Sequence, residues 1–139
     1  MTGERIKRIE RAVGTWIGSH YRDAVEVGIG SNTTAAVTAS AAGCRVRAVD
    51  LRPCATAAVP FARDDVFAPD LALYRGADLV YAVRPGIEMV PALVELARAV
   101  GCDLVVCHLG DECWQDGGER IDADGVRLHR YHRGSSEQG

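Results

Sequence analysis

AVEVGIGSNTTAAVTASAAGCRVRAVDLRP, residues 24–53, is the stretch whose reading decides the fold. Val25, Val27 and Ile29 alternate with Glu26 and Gly28, the period of a short buried strand. Gly28 and Gly30 bracket a tight turn. Glycine there reaches backbone angles that a Cβ forbids and lets a ligand approach bare backbone. Ser31, Asn32, Thr33 and Thr34 are each suited to cap the helix that follows. Ala35 to Ala42 are small enough for that helix to lie close on a sheet, and Gly43 suits the position just past its end. Arg45 to Val49 make a second strand, which stops at Asp50. That acid lies about twenty residues beyond the glycines, where a carboxylate at a strand end can grip a ribose diol. Strand, glycine turn, helix, strand and acid form the opening half of a nucleotide- or nucleoside-binding α/β sheet. A structural turn without a ligand is the competing reading.

Charge around the turn discriminates between ligands. A dinucleotide fingerprint wants a third small residue three places after its second glycine, and Thr33 stands there. Glu26 lies at the strand end, where it would oppose a pyrophosphate. S-adenosylmethionine carries an ammonium and a sulfonium and no phosphate, so the same carboxylate would favour it. An NAD-type dinucleotide remains the competing ligand, and a salt-bridged or solvated strand-end acid is the competing account of Glu26.

The run Glu26-Val27-Gly28-Ile29-Gly30 resembles the first motif of class I methyltransferases, and Asp50 resembles their ribose-binding acid. Arg63 to Pro69 resembles their third motif, in which an acid meets the adenine amino group; Asp65 is the better match and Asp64 the alternate. Ala77 to Gly86 takes the place of the fourth motif. The combination of EVGIG, AVDLRP, DDVFAP and LVYAVRPGIEM is similar to uncharacterised protein family 0146, a set of short archaeal proteins, over most of the chain. The resemblance implies a three-layer α/β/α Rossmann-like fold and S-adenosylmethionine as cofactor, and no established activity comes with it. By the same resemblance, Glu26, Gly28 and Gly30 would cradle the methionine part, Asp50 the ribose and Asp65 the adenine edge. Tyr81, Arg84 and Pro85 would line the substrate mouth. One departure stands out. Amine methyltransferases acting on nucleic acids often carry Asp, Asn or Ser before two prolines at the fourth motif, whereas this chain reads Val83-Arg84-Pro85-Gly86. Arginine only donates and cannot accept a proton from an amine. A surface arginine paired with an acid is its plain alternative.

The remaining segments complete an α/β order. Residues 4–17 carry Ile6, Ile9, Val13 and Trp16 at helical spacing and predict a leading amphipathic helix. A short third strand is expected at Val59 to Ala62, and a helical turn at Asp70 to Tyr74. Asp78 to Val83 and Leu104 to Leu109 read as buried parallel strands. Glu88 to Val100 reads as an amphipathic helix stopped by Gly101. The strand order follows as 3-2-1-4-5, with the cleft at the carboxyl ends of strands one and four. Glu119 to Asp124 and Val126 to Tyr131 can pair as an antiparallel hairpin across Asp124-Gly125. Residues 1–133 are expected to form one domain, and residues 134–139 a disordered tail.

The chain has 139 residues and a formal charge of −3. That length leaves little room for a substrate-binding insert. Either the acceptor is small, or a partner protein or second copy supplies recognition, or the chain is a non-catalytic module acting through a partner. No basic run stands out, so nucleic acid is not indicated as a partner. No apolar stretch is long enough for a membrane span, and the charged start shows no signal pattern. The expectation is a cytoplasmic chain with reduced thiols at Cys44, Cys54, Cys102, Cys107 and Cys113. Cys107, His108 and Cys113 lie near one another, but their spacing matches no common zinc pattern, so no metal is expected. The residues single out no catalytic base.

Overall fold

Asp23–Val27 forms β1 and Arg45–Asp50 forms β2, paired in parallel in the computed structural model, which describes residues 2–53 and 58–135. Between them lies α2, Thr34–Ala41. Its N-terminus is covered by Asn32, whose side-chain oxygen accepts a bond from the Thr34 N–H at 3.1 Å. Gly43 follows the helix with φ 105°, in the left-handed region that ends such helices.

Phe61–Arg63 is β3, Leu79–Val83 is β4 and Asp103–Cys107 is β5. Glu119–Ala123 is β6 and Val126–His132 is β7. The sheet runs β3-β2-β1-β4-β5-β7-β6. The first five strands are parallel in the expected 3-2-1-4-5 order; β7 lies antiparallel to β5, and β6 to β7. Asp124 (φ 55°) and Gly125 (φ 85°) turn the hairpin. Both angles are positive, as a two-residue type I′ turn requires. β3 starts later than the expected residue 59. Residues 54–57, including Cys54, lie outside the described residues.

Strand alternation divides the core in two. Ala24, Val46, Ala48, Leu79 and Tyr81 face α1 (Thr2–His20) and α2. Val25, Val27, Val49, Val80 and Val106 face α3 (Val90–Val100). The leading helix is longer than the expected residues 4–17, and it packs most closely on α2. A Cβ added at Gly14 would sit 2.6 Å from the Thr38 Cβ, and one added at Gly18 would overlap the Ala42 methyl. The small residues of α2 therefore serve a helix–helix contact as well as the sheet. A 3-10 turn at Ile87–Met89 leads into α3, which stops at Gly101 (φ 84°). Just past β7, the Gly134 N–H donates to Asp103 at 2.7 Å; residues 136–139 lie outside the described residues. Among the described residues no helix is long and apolar enough to cross a membrane.

Candidate ligand cleft

The parallel strands of β1, β2, β3 and β4 end on one edge of the sheet, and a cleft of about 300 Å³ opens there. Gly28, Asp50 and Asp65 line it, as do Arg84, Pro85 and Gly86. A larger groove, about 430 Å³, lies elsewhere, between α1 and the end of β6. It contains none of the residues that the turn motif points to.

The turn is held by its own acid. Gly28 (φ 77°) donates its N–H to the Val49 carbonyl at 2.8 Å. Gly30 (φ 58°) donates its N–H to Asp50 Oδ2 at 2.8 Å. Asp50 Oδ1 also accepts from the Arg52 N–H at 3.3 Å. A carboxylate has about four acceptor positions, so Asp50 keeps capacity for further donors.

The two acids after β3 have different situations. Asp64 accepts from the Tyr74 hydroxyl at 2.6 Å and from the Asp70 N–H at 3.0 Å, which ties the loop to the following 3-10 turn. Among the described residues the Asp65 side chain makes only a local turn, its Oδ1 accepting from the Phe67 N–H at 2.9 Å. Leu51 and Phe67, next to these acids, are 54% and 62% exposed. Neither was singled out from sequence. The available signal was an apolar side chain directly beside a strand-end acid in a loop.

Tyr81 does not line the mouth as expected. It is 1% exposed and donates its hydroxyl to Glu26 Oε1 at 2.8 Å. Alternation along β4 sends its side chain to the α1–α2 face, away from the α3 side on which the cleft opens. Glu26 is likewise buried, at 3% exposure, and does not line the cleft surface. Burial pushes its carboxyl up to about 8. The Tyr81 bond lowers it, the Glu10 charge raises it and the Arg84 charge lowers it, all by less. At pH 7 it is mainly the neutral acid.

Arg84 has φ 53°, a left-handed angle that is strained for a side chain with a Cβ. Its guanidinium ion-pairs with Glu10 of α1. Glu10 also accepts from Asn32 Nδ2 at 2.8 Å and from the Ala35 backbone. Burial raises the Glu10 carboxyl above its ordinary value, against the opposing pull of Arg84. The sequence flagged neither Glu10 nor Asn32 for this cluster, because the contact joins residues 10, 32 and 84 across the fold.

His108 Nε2 lies 2.7 Å from the Tyr131 hydroxyl, which accepts from the Trp114 N–H at 2.8 Å. Burial, and then the neighbouring His129, hold His108 below its ordinary pKa. Among the described residues no group of three metal-ligating side chains comes together, and Cys44, Cys102, Cys107 and Cys113 are free thiols.

The chain is similar to known proteins in sequence and in fold. The UPF0146 protein of Halobacterium salinarum is 41% identical over 101 residues, covering 72% of this chain and 78% of its own. That of Archaeoglobus fulgidus is 38% identical over 96 residues, covering 68% and 74%. Among solved structures, the CcbJ methyltransferase from Streptomyces caelestis superposes with a TM-score of 0.55 at 18% identity, over 70% of this chain and 47% of its own. The SAM-bound amino pentose methyltransferase CalS10 from Micromonospora echinaspora gives a TM-score of 0.50 at 19% identity, over 92% of this chain and 62% of its own. This chain thus spans about half the length of the first and under two thirds of the second. At such identity the likeness is one of fold, that of Rossmann-like methyltransferases. Residues 13–126 match the Uncharacterised protein family (UPF0146), and the chain belongs to that family.

Proposed function

We propose that this protein binds S-adenosylmethionine in the cleft and transfers its methyl group to a small acceptor. The observation that carries the reading is the use of the turn amide. The Gly30 N–H, which a dinucleotide site would offer to a pyrophosphate, is bonded to Asp50. Asn32 covers the Thr34 N–H at the start of α2. A pyrophosphate would find those donors occupied and Asp50, Asp64 and Asp65 along the wall. A sulfonium cofactor has no phosphate to be repelled.

In this reading Asp50 takes the ribose hydroxyls and Asp65 the adenine amino edge, with Leu51 and Phe67 offering apolar faces to the base. Gly28, which lines the cleft, and Gly30, held by Asp50, add no side chain on the methionine side. Glu26 supports it from behind, within the Glu10–Arg84 cluster, as a neutral acid rather than a bare anion. Pro85 and Arg84 border the acceptor side. The bound cofactor supplies an electrophilic methyl group; the chain's part is to hold donor and acceptor in line.

Calorimetric titration with S-adenosylhomocysteine and, separately, with NAD tests this. The expected result is binding of the first and not the second, with Asp65→Asn weakening it about tenfold through loss of one charge-assisted bond. Asp65 is the clean position, since Asp50→Ala also releases the glycine turn. Tighter binding of NAD would refute the reading. Binding of neither would favour a non-catalytic module that acts through a partner protein or as a homodimer.

A further inference from the structure

We infer that the outer edge of β6 is a pairing surface for a second copy of this chain, joined antiparallel about a two-fold axis at Ile121. One sheet would then run through both copies. The edge is separated from the strands that form the cleft by β5 and β7, so the inference stands apart from the cofactor reading.

Three observations lead to it. First, β6 closes one end of the strand order, and among the described residues it pairs on one side alone, with β7. Its five residues, Glu-Arg-Ile-Asp-Ala, keep one register throughout, with no bulge and no proline. Charge is its only guard against a further strand. Second, the hairpin fixes which backbone groups face outward. Ala123 and Val126 flank the two-residue turn and exchange hydrogen bonds, so by alternation Ile121 and Glu119 also turn their N–H and C=O groups to β7. Those of Arg120 and Asp122 point away from β7, and no hydrogen bond joins them to other described residues. Third, the charge on this edge complements itself. An added copy must bring its own outward residues to Arg120 and Asp122, which puts the axis at Arg120, Ile121 or Asp122. At Arg120 it opposes guanidinium to guanidinium, and at Asp122 carboxylate to carboxylate. At Ile121, Arg120 faces Asp122 of the second copy on both sides of the axis.

In that register the outward N–H and C=O groups of Arg120 and Asp122 are all bonded by the second copy. Ile121 meets Ile121 of the second copy at the non-hydrogen-bonded position, where opposed side chains approach most closely. It already packs against the α1–α2 side of the core, so the pair extends that core across the axis. Glu119 falls opposite Ala123 on the same face; Arg130 and Arg133 already pair it, so it brings no unpaired charge. Arg120 and Asp122 are exposed on the other face. Arg120 gives one donor to the Asp116 carbonyl, and Asp122 Oδ1 accepts from the Gly125 N–H, so both keep capacity for an ion pair. A groove of about 350 Å³, lined by Arg120, Ile121, Asp122, Gly125 and Arg127, borders the edge and gives an added strand room.

Sedimentation velocity of the full chain tests the surface and its register together. Wild type should form a dimer with a Kd of about 10 μM, as suits a small interface. Arg120→Asp makes both outward positions acidic, and Asp122→Arg makes both basic. Each variant alone should dimerise roughly tenfold to hundredfold more weakly, because attraction turns to repulsion on both sides of the axis. An equimolar mixture of the two should form a heterodimer at about the wild-type affinity, since acidic then faces basic throughout. The double variant Arg120→Asp/Asp122→Arg should pair with itself again, for the same reason. Recovery in the mixture and in the double variant separates pairing from damage to the hairpin, where Asp122 also holds the Gly125 N–H. Wild type still monomeric at about ten times the expected Kd overturns the inference. So do single variants that dimerise as wild type does, and so does weakening that neither the mixture nor the double variant recovers. None of these results bears on binding at the cleft.

Discussion

Replacing Glu26 by glutamine should make the protein more stable at alkaline pH and change little at acid pH. The side chain is buried, and its one described bond accepts from the Tyr81 hydroxyl, which a glutamine oxygen can also do. Its carboxyl is pushed up to about 8, chiefly by burial, from an ordinary value of 4.5. The native state therefore holds this proton more tightly than the unfolded chain does. Stability falls as pH rises from the unfolded value near 4.5 through about 8, and levels off above. Between pH 5.5 and 8.5 this one group should remove roughly 3 kcal/mol, or about 2 after relaxation and water penetration. Glutamine cannot ionise and is spared the loss. Urea unfolding of both proteins across that range checks it, because every other titrating group contributes alike to the two profiles. Parallel profiles would refute the argument, and would mean that Glu26 is paired or hydrated in the native state.

Arg84→Met removes the partner of Glu10, which is 2% exposed, and should destabilise by about 3 kcal/mol at pH 7.5 in denaturant titrations. Adding Glu10→Gln should recover most of that loss, and a double mutant no more stable than Arg84→Met would contradict the pairing. Gly14→Ala should destabilise by about 1–3 kcal/mol, because its methyl would press on Thr38, although alanine is the better helix former. Gly3→Ala, in the same helix with nothing within 4 Å, should be neutral or stabilising, and thermal melts of the pair would show the opposite signs.

Much of the fold was legible in residues 24–53. A period-two apolar run, paired glycines, a small-residue segment and a strand-end acid are local signals, and each follows from backbone sterics or side-chain size. They specify β1, α2 and β2 and, with the right-handed crossover rule, the 3-2-1-4-5 order. Asp124-Gly125 announced its hairpin for the same reason, since few residues accept two successive positive φ angles. The late start of β3 was not legible, because three residues in a sheet-edge strand carry too short a pattern to fix its ends.

Side-chain partnership was decided only in the tertiary structure. Sequence could place Glu26 and Tyr81 at strand positions near the cleft, but their hydroxyl–carboxyl bond depends on β1 and β4 being neighbours with both side chains on the α1–α2 face. It could place Asp64 and Asp65 after β3, but not tell which was consumed by Tyr74. It could note Arg84 as a departure, but not that Glu10, more than seventy residues away, would claim it. Nor did Gly14 and Gly18 announce that α2 would lie against them. Patterning is a property of consecutive residues, so it survives reading in one dimension. Desolvation, ion pairing and close approach depend on which distant segments meet, and only the packed sheet determines that.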